Sequence, residues 1–242
     1  MTRLRGVMAI AAAGAALWSA GCGDGGAPAA ALPADAILEI DGAVVTERDV
    51  EEVLPSLMAW HPERGEESVR SEILTAAAIP RAFARHDFPQ GVARARERAA
   101  VAMSMLRAKQ PFEDVQKAMS EAPIPDTMVK ASRRVMDAYL GAAVFGHPAG
   151  TVTEPVETTY GVVIARVELP LPEASPQQDG VILSAIEFLY DPSLADADLR
   201  VPMFQERMLR SKIFVIDPRA SRWIAPVLQS RIAGGSGGKS SK

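Results

Sequence analysis

The sequence predicts an α+β fold: an N-terminal hairpin and a helical segment, then a small antiparallel sheet flanked by helices. Three observations carry that prediction. An Asp-Gly pair separates two short apolar runs at residues 37–45, the pattern of a two-residue hairpin turn. Apolar residues then recur every three or four positions through about residue 109, as one face of a helix requires. From about residue 151 the pattern changes to runs of strand length rich in Val, Ile and Thr.

Composition sets the bounds. The 242 residues are 48% apolar and 23% charged, which is globular composition, and 18 Gly with 18 Pro in no strict period exclude a collagen-like chain. The length allows one large domain or two small ones. A net charge of −4 does not argue overall for nucleic acid, where a basic face would be expected. The single cysteine excludes an internal disulfide, and no Cys/His spacing suits zinc, so neither metal nor cofactor is expected.

Residues 1–22 read MTRLRGVMAIAAAGAALWSAGC. Arg3 and Arg5 precede a twelve-residue apolar run, and Ser19, Ala20 and Gly21 are small residues set for cleavage before Cys22. The run falls short of the roughly 20 residues that a membrane-spanning helix takes. An ordinary secretory signal with an incidental cysteine is one reading. The arrangement also resembles a bacterial lipoprotein signal, although Ser19 stands where Leu is usual. That resemblance implies a signal peptide over 1–21 and a mature chain lipidated at Cys22, with more than the two acyl chains that stable anchoring takes. It also implies an outer-membrane address, since Gly23 and not Asp follows the cysteine. Removing Arg3 and Arg5 leaves the mature chain at −6, and residues 22–35 read as a flexible tether.

The elements follow in order. Residues 37–40 and 43–45 flank Asp41-Gly42 as a hairpin, and Thr46 through Asp49 have the form of a capping box. Val50, Val53, Leu54 and Leu57 mark a helix that His61-Pro62 breaks. A second helix runs from Glu66 to about His86 with Val69, Ile73, Ala76 and Ala77 on one face, and Pro80 should kink or divide it. A third, from about Val92 to Lys109, buries Val92, Ala95, Ala99, Ala102, Met103 and Leu106. Arg94, Arg96 and Arg98 scatter around its cylinder at about 200° per step, which reads as a solvated face and not a phosphate site. Met103 and Met105 read as core filling.

The second segment opens with a short helix from Phe112 to about Ser120. A loop follows at Pro123 and Pro125, then residues 127–144 read as helical in two pieces. A turn at 146–150 leads into paired strands at 151–156 and 160–168, the second apolar on both faces and so expected to be central.

From Phe112 to Val167 this order resembles a parvulin-type (PpiC-type) peptidyl-prolyl isomerase domain. The matching residues are Phe112 to Val115, Met119-Ser120, Met136 to Leu140, and Val144-Phe145. The closing stretch Gly150-Thr-Val-Thr-Glu-Pro155-Val156-Glu-Thr158-Thr-Tyr-Gly161 is the most specific, with its Gly, Pro-Val, Thr and Gly in register. The hairpin and helices before it resemble the chaperone segment of SurA-like periplasmic foldases. Phe204 to Ile216 looks like the helix and strand that return to that segment. The implied layout is a chaperone-like segment at 36–110, a parvulin-like domain at 111–170 with a start near residue 84 as the alternative, a linker with returning elements at 171–217, and a tail at 218–242.

The resemblance also implies a site. Catalysis of prolyl rotation must favour the twisted amide over the planar one, against a barrier of about 18–20 kcal/mol. In the family an apolar cup and a polar cluster of two histidines, a Cys or Asp, and Ser/Thr do this. Met136 matches the cup, Leu140 stands where Phe is usual, Phe145 borders the cup or lies beneath it, and Thr158 matches the family threonine. Ala122 and Val163 occupy two of the polar positions, and neither can donate, accept or carry charge. The Gly-rich loop is replaced by residues 126–132. His86 is a candidate for the first histidine, although Asp87 and Pro89 suit a helix end better than a strand. Residues 181–189 (VILSAIEFL) are a second candidate for the missing strand, with Ala185 at the histidine position. His147 matches no family site. Three readings follow: a foldase with little isomerase activity that binds unfolded or proline-containing clients, an active isomerase with a thinned site, and a structural or assembly lipoprotein.

Overall fold

Hairpin and capping box form as their residues dictate. The computed structural model describes residues 31–122, 130–133, 135–171 and 179–233; the signal segment, Cys22, most of the tether and residues 123–129 lie outside them. Ala36–Ile40 (β1) and Ala43–Thr46 (β2) pair antiparallel. Asp41 and Gly42 have φ of 53° and 80°, the left-handed pair that a type I′ turn needs. Thr46 caps Glu47–Glu51 (α1). Its Oγ1 accepts from the Asp49 N–H at 3.3 Å, and the Asp49 carboxylate accepts from the Thr46 N–H at 3.0 Å. Leu54–Trp60 (α2) stops at His61, before Pro62.

Pro80 divides the next helical rod. Glu66–Ile73 (α3) runs into a π-helical turn, Leu74–Ala78, and then into Ile79–Asp87 (α4). Proline has no N–H to give and crowds the preceding turn, which the wider π turn accommodates. The extra residue rotates the apolar stripe. Val69, Ile73 and Ala77 are buried as expected, but Ala76 is exposed, and Leu74 and Ala78 are buried instead.

Pro89–Arg107 (α5) buries Val92, Ala95, Ala99, Ala102 and Met103 and packs across the strands that follow. A Cβ on Gly91 would stand 1.9 Å from the Tyr190 carbonyl oxygen, so the helix approaches there only because the residue is glycine. The three arginines scatter around the helix, Arg94 and Arg96 exposed as expected and Arg98 half-buried, but each is also engaged. Arg94 donates to the Leu189 carbonyl at 3.1 Å, and Arg96 binds Glu157 at 2.6 and 2.9 Å. Arg98 pairs with Glu121 and donates to the Met119 carbonyl at 2.9 Å.

Phe112–Met119 (α6) follows. In the stretch expected to be helical in two pieces, Ala138–Val144 (α7) is a helix but Lys130–Ser132 (β3) is a strand. A tertiary partner decides this, because Lys130 to Ser132 pair antiparallel with Ile182 to Gly180. Val156–Glu157 (β4), Gly161–Leu171 (β5) and Gly180–Leu189 (β6) complete an antiparallel sheet of order β3-β6-β5-β4, with β5 inside as expected. Ala197–Arg210 (α8) and Ile213–Val215 (β7) return to the hairpin, giving a second sheet of order β2-β1-β7.

Two expected boundaries are corrected. Residues 218–233 are not a tail: Pro218–Arg222 and Pro226–Arg231 are 3-10 turns around buried Ala220, Trp223, Ile224 and Leu228. Nor does the core break near residue 110. One buried cluster runs from Ile37 through Phe112, Val162 and Phe188 to Leu228. A smaller one holds Leu140, Val144, Val163, Ala165, Val167 and Val181. Residues 162 and 163 are neighbours on β5, so the two clusters lie on opposite faces of the four-stranded sheet.

Candidate functional site

The register of β5 and β6 sets the floor of the site. Val163 stands opposite Glu187 and Ala165 opposite Ala185, so these four side chains share one face. Helix α7 lays Leu140 and Val144 on that face, and Met136, Phe145 and Ala185 pack against the same cluster. Asp137 fixes the approach. One carboxylate oxygen caps α7 by accepting from the Tyr139 and Leu140 N–H groups at 3.0 and 3.4 Å. The other accepts from the Thr159 N–H and hydroxyl at 2.9 and 2.8 Å, which holds the 158–159 turn beside Met136.

The residues singled out in the sequence take different places. Leu140 and Thr158 are buried beneath the surface. The Thr158 hydroxyl donates to the Gly161 carbonyl at 2.9 Å and accepts from the Gly161 N–H at 3.1 Å, so it closes its own turn. Val163 is fully buried on the central strand. Ala122 is half-buried in the segment after α6, where the Glu121 N–H donates to the Glu187 carbonyl at 2.8 Å. His86 lies on the last turn of α4, its Nδ1 3.0 Å from an Asp87 carboxylate oxygen and its Nε2 against the backbone of Gly42. It is on a helix, not on an opening strand. His147 is exposed in the turn after α7.

Met136 and Phe145 border different cavities. A cleft of about 450 Å³ opens beside Met136, walled by Leu57, Trp60 and Ala76 on one side and by Asp137, Thr159 and Val201 on others. Val135 at its rim is 81% exposed. Phe145 borders a second cavity of about 350 Å³ with Val144, Pro170 and Val181. Arg133 lines both. Its guanidinium sits in the corner of an edge-to-face Trp60–Phe145 pair, 4.2 and 4.4 Å from the ring centroids.

No family model, curated protein or solved structure matches this chain. Its chemistry is therefore read from its own residues. Among the described residues no His, Cys, Asp or Glu cluster is placed to hold a metal ion, and no helix is long and apolar enough to cross a membrane.

Electrostatics divide the molecule into two regions. At the junction of α1, α4 and α5 with β4, Glu157 takes Arg85 at 2.9 Å as well as Arg96, and Arg85 also donates to Asp49 at 2.8 Å. Burial opposes ionisation of Glu157, but the Arg96 and Arg85 guanidiniums prevail and hold its carboxyl at about 2. Arg81 stacks 3.9 Å above Tyr139, whose hydroxyl donates to the Asp49 carbonyl at 2.9 Å. On the apolar sheet face the balance reverses. Burial raises the Glu187 carboxyl above its ordinary value, with Arg200 the opposing charge. Burial also pushes the neighbouring Tyr160 hydroxyl well up.

Trp60, Arg133, Glu187 and Arg200 escaped the sequence reading. Glu187 had a legible signal as the one charge in an otherwise uncharged run at 181–189. Arg133 had none, because its setting is made by a helix and a turn far apart in the chain.

Proposed function

We propose that this protein is a membrane-anchored foldase that holds extended, apolar or proline-containing client segments in the Met136 cleft, through a parvulin-like module with little isomerase activity. One observation supports this reading above the others. Met136, Leu140, Phe145, Val163 and Ala185, aligned only by the resemblance, meet in one cluster on one sheet face. Strand β6 supplies position 185 from the far end of the module, next to the strand that carries Val163. Every position in that cluster where the family places a polar group is apolar, and the Thr158 hydroxyl is engaged in its own turn. Met136 and Val135 leave apolar surface beside the cleft for a client side chain to cover, at about 25 cal/mol per Å² before association costs, while Val163 and Ala185 put no polar group where the family has one.

The anchor is proposed at Cys22, facing the periplasm from the outer membrane. Cys22→Ser is expected to release the protein or leave its precursor uncleaved, as read by membrane fractionation. The foldase reading is tested by two assays on one preparation: light scattering of a denatured client, and proline-limited refolding. Suppressed scattering with a refolding rate near the uncatalysed one supports it. Val135→Asp at the rim should weaken suppression several-fold and leave the circular dichroism spectrum unchanged. Refolding catalysed as by an intact parvulin, with no effect on scattering, would overturn it in favour of an enzyme.

A further inference from the structure

Arg133 is the most anomalous polar residue of the cleft. Its side chain is only 10% exposed, and one of its nitrogens donates to Asp179 at 3.0 Å. Its Nε and Nη1 are buried with no hydrogen-bond partner. Guanidinium offers five donors in a fixed fork, and buried donors left unpaired are costly. The Trp60 and Phe145 rings supply attraction to the charge but no acceptor in the plane of the fork. Burial pulls the Arg133 guanidinium down from its ordinary value, with Asp179 opposing.

The rest of the cleft does not supply the missing acceptor. Glu72 is paired with Arg64, and the Asp137 carboxylate is taken by N–H and O–H groups of Tyr139, Leu140 and Thr159. Arg200, also on the wall, adds a second positive charge. The cleft therefore combines apolar walls with a guanidinium whose Nε and Nη1 have no acceptor.

We propose that Arg133 is a carboxylate-binding site and that its ligand is the free C-terminus of an apolar polypeptide lodged in the cleft. This rests on the client-holding reading above and deepens it. A chain end suits the cleft better than an internal acidic side chain. At about 450 Å³ the cleft has the volume of a compact, drug-sized ligand and not of a long segment passing through. A C-terminal residue also carries its carboxylate next to its own apolar side chain, which matches a guanidinium set beside apolar walls. The two unpaired nitrogens are closed to solvent, so the proposed contact requires the Trp60–Phe145 corner to open. Nε and Nη1 lie on different edges of the fork, so a carboxylate takes one of them beside Nη2, the nitrogen that already donates to Asp179, in a charge-assisted contact.

The test uses one short apolar peptide, labelled at its N-terminus and made both as the free acid and as the C-terminal amide. Fluorescence anisotropy with the mature full-length chain should show the free acid bound roughly tenfold more tightly or better, as a charge-assisted pair allows. Arg133→Gln should bring the free acid to the affinity of the amide and leave the amide unchanged. Arg133→Lys should restore part of the preference, since it keeps the charge without the fork. Equal binding of acid and amide by the unaltered protein, or a preference that survives Arg133→Gln, overturns the proposal. So does an amidated peptide with an internal Asp that binds as tightly as the free acid. The acid–amide comparison needs no variant to fold. The scattering assay separates the two levels: suppression without acid preference removes the Arg133 site and leaves the foldase reading, whereas no suppression and no peptide binding removes both.

Discussion

Replacing Glu157 by Gln should loosen the joint between the helical segment and the sheet in a pH-dependent way. Glu157 projects from the two-residue strand β4 and receives Arg85 from α4 and Arg96 from α5. Its carboxyl is held at about 2 against an ordinary 4.5, and each tenfold change in proton affinity is ~1.4 kcal/mol, so ionised Glu157 stabilises the fold by up to about 3 kcal/mol. The side chain is 21% exposed, and partial screening brings the expected figure to about 2–3 kcal/mol. Because the folded value is depressed, this stability is fully present above pH ~4.5 and is lost as pH falls toward ~2. Glu157→Gln keeps the volume and removes the charge, while Arg85 retains Asp49 and Arg96 turns to water. Urea unfolding of both proteins, followed by circular dichroism from neutral pH to pH ~2, should show a gap of about 2–3 kcal/mol that closes below pH ~4.5. The other carboxylates contribute equally to both curves, so the difference isolates position 157. Two curves that stay parallel down to pH ~2 would refute the reasoning.

Two further outcomes follow from local geometry. Gly91→Ala places a Cβ on the Tyr190 carbonyl, and separating α5 from the end of β6 should cost about 2 kcal/mol or more, read as a fall in Tm; an unchanged Tm would contradict the close approach. Glu187→Gln should raise Tm at neutral pH and change it little near pH 4. Burial raises the folded carboxyl, so the folded state holds its proton more tightly and wild-type stability falls as pH rises above the unfolded value; equal effects at both pH values would show that Glu187 titrates as if unfolded.

The parts of the fold legible in the sequence are those fixed by local chemistry. Asp41-Gly42, the Thr46–Asp49 box, the break at His61-Pro62 and the disturbance at Pro80 each depend on residues within one turn of each other. β3 was not legible, because Lys-Ala-Ser has no strand preference and its conformation comes from pairing with residues 180–182. The same holds for residues 218–233, whose apolar side chains find a core only once β7 has returned to β1. At the candidate site, Met136, Leu140, Val144 and Phe145 stand out in the sequence simply as apolar residues at close spacing. The Arg133 corner does not, since Trp60 and Phe145 are separated by 85 positions in the chain and meet only in the folded state.

If the missing polar groups silence the module, restoring one of them should do almost nothing. Ala185 is half-buried opposite Ala165, so a histidine there reaches the same sheet face as Val163. It would find Leu140 and Val163 as neighbours in the cluster and a Thr158 hydroxyl already committed to Gly161. A lone imidazole in that setting gains no partner to orient it or to share a proton. Groups that act as a unit give non-additive effects, so Ala185→His should leave proline-limited refolding within about twofold of the unaltered protein. Val163→His with Ala185→His places two imidazoles on one face beside Glu187, whose raised carboxyl can hydrogen-bond to one of them. That double variant should exceed the product of the single effects. A tenfold gain from Ala185→His alone would mean that the apolar cup already supplies most of the catalysis, and that the low activity proposed for this chain has another cause.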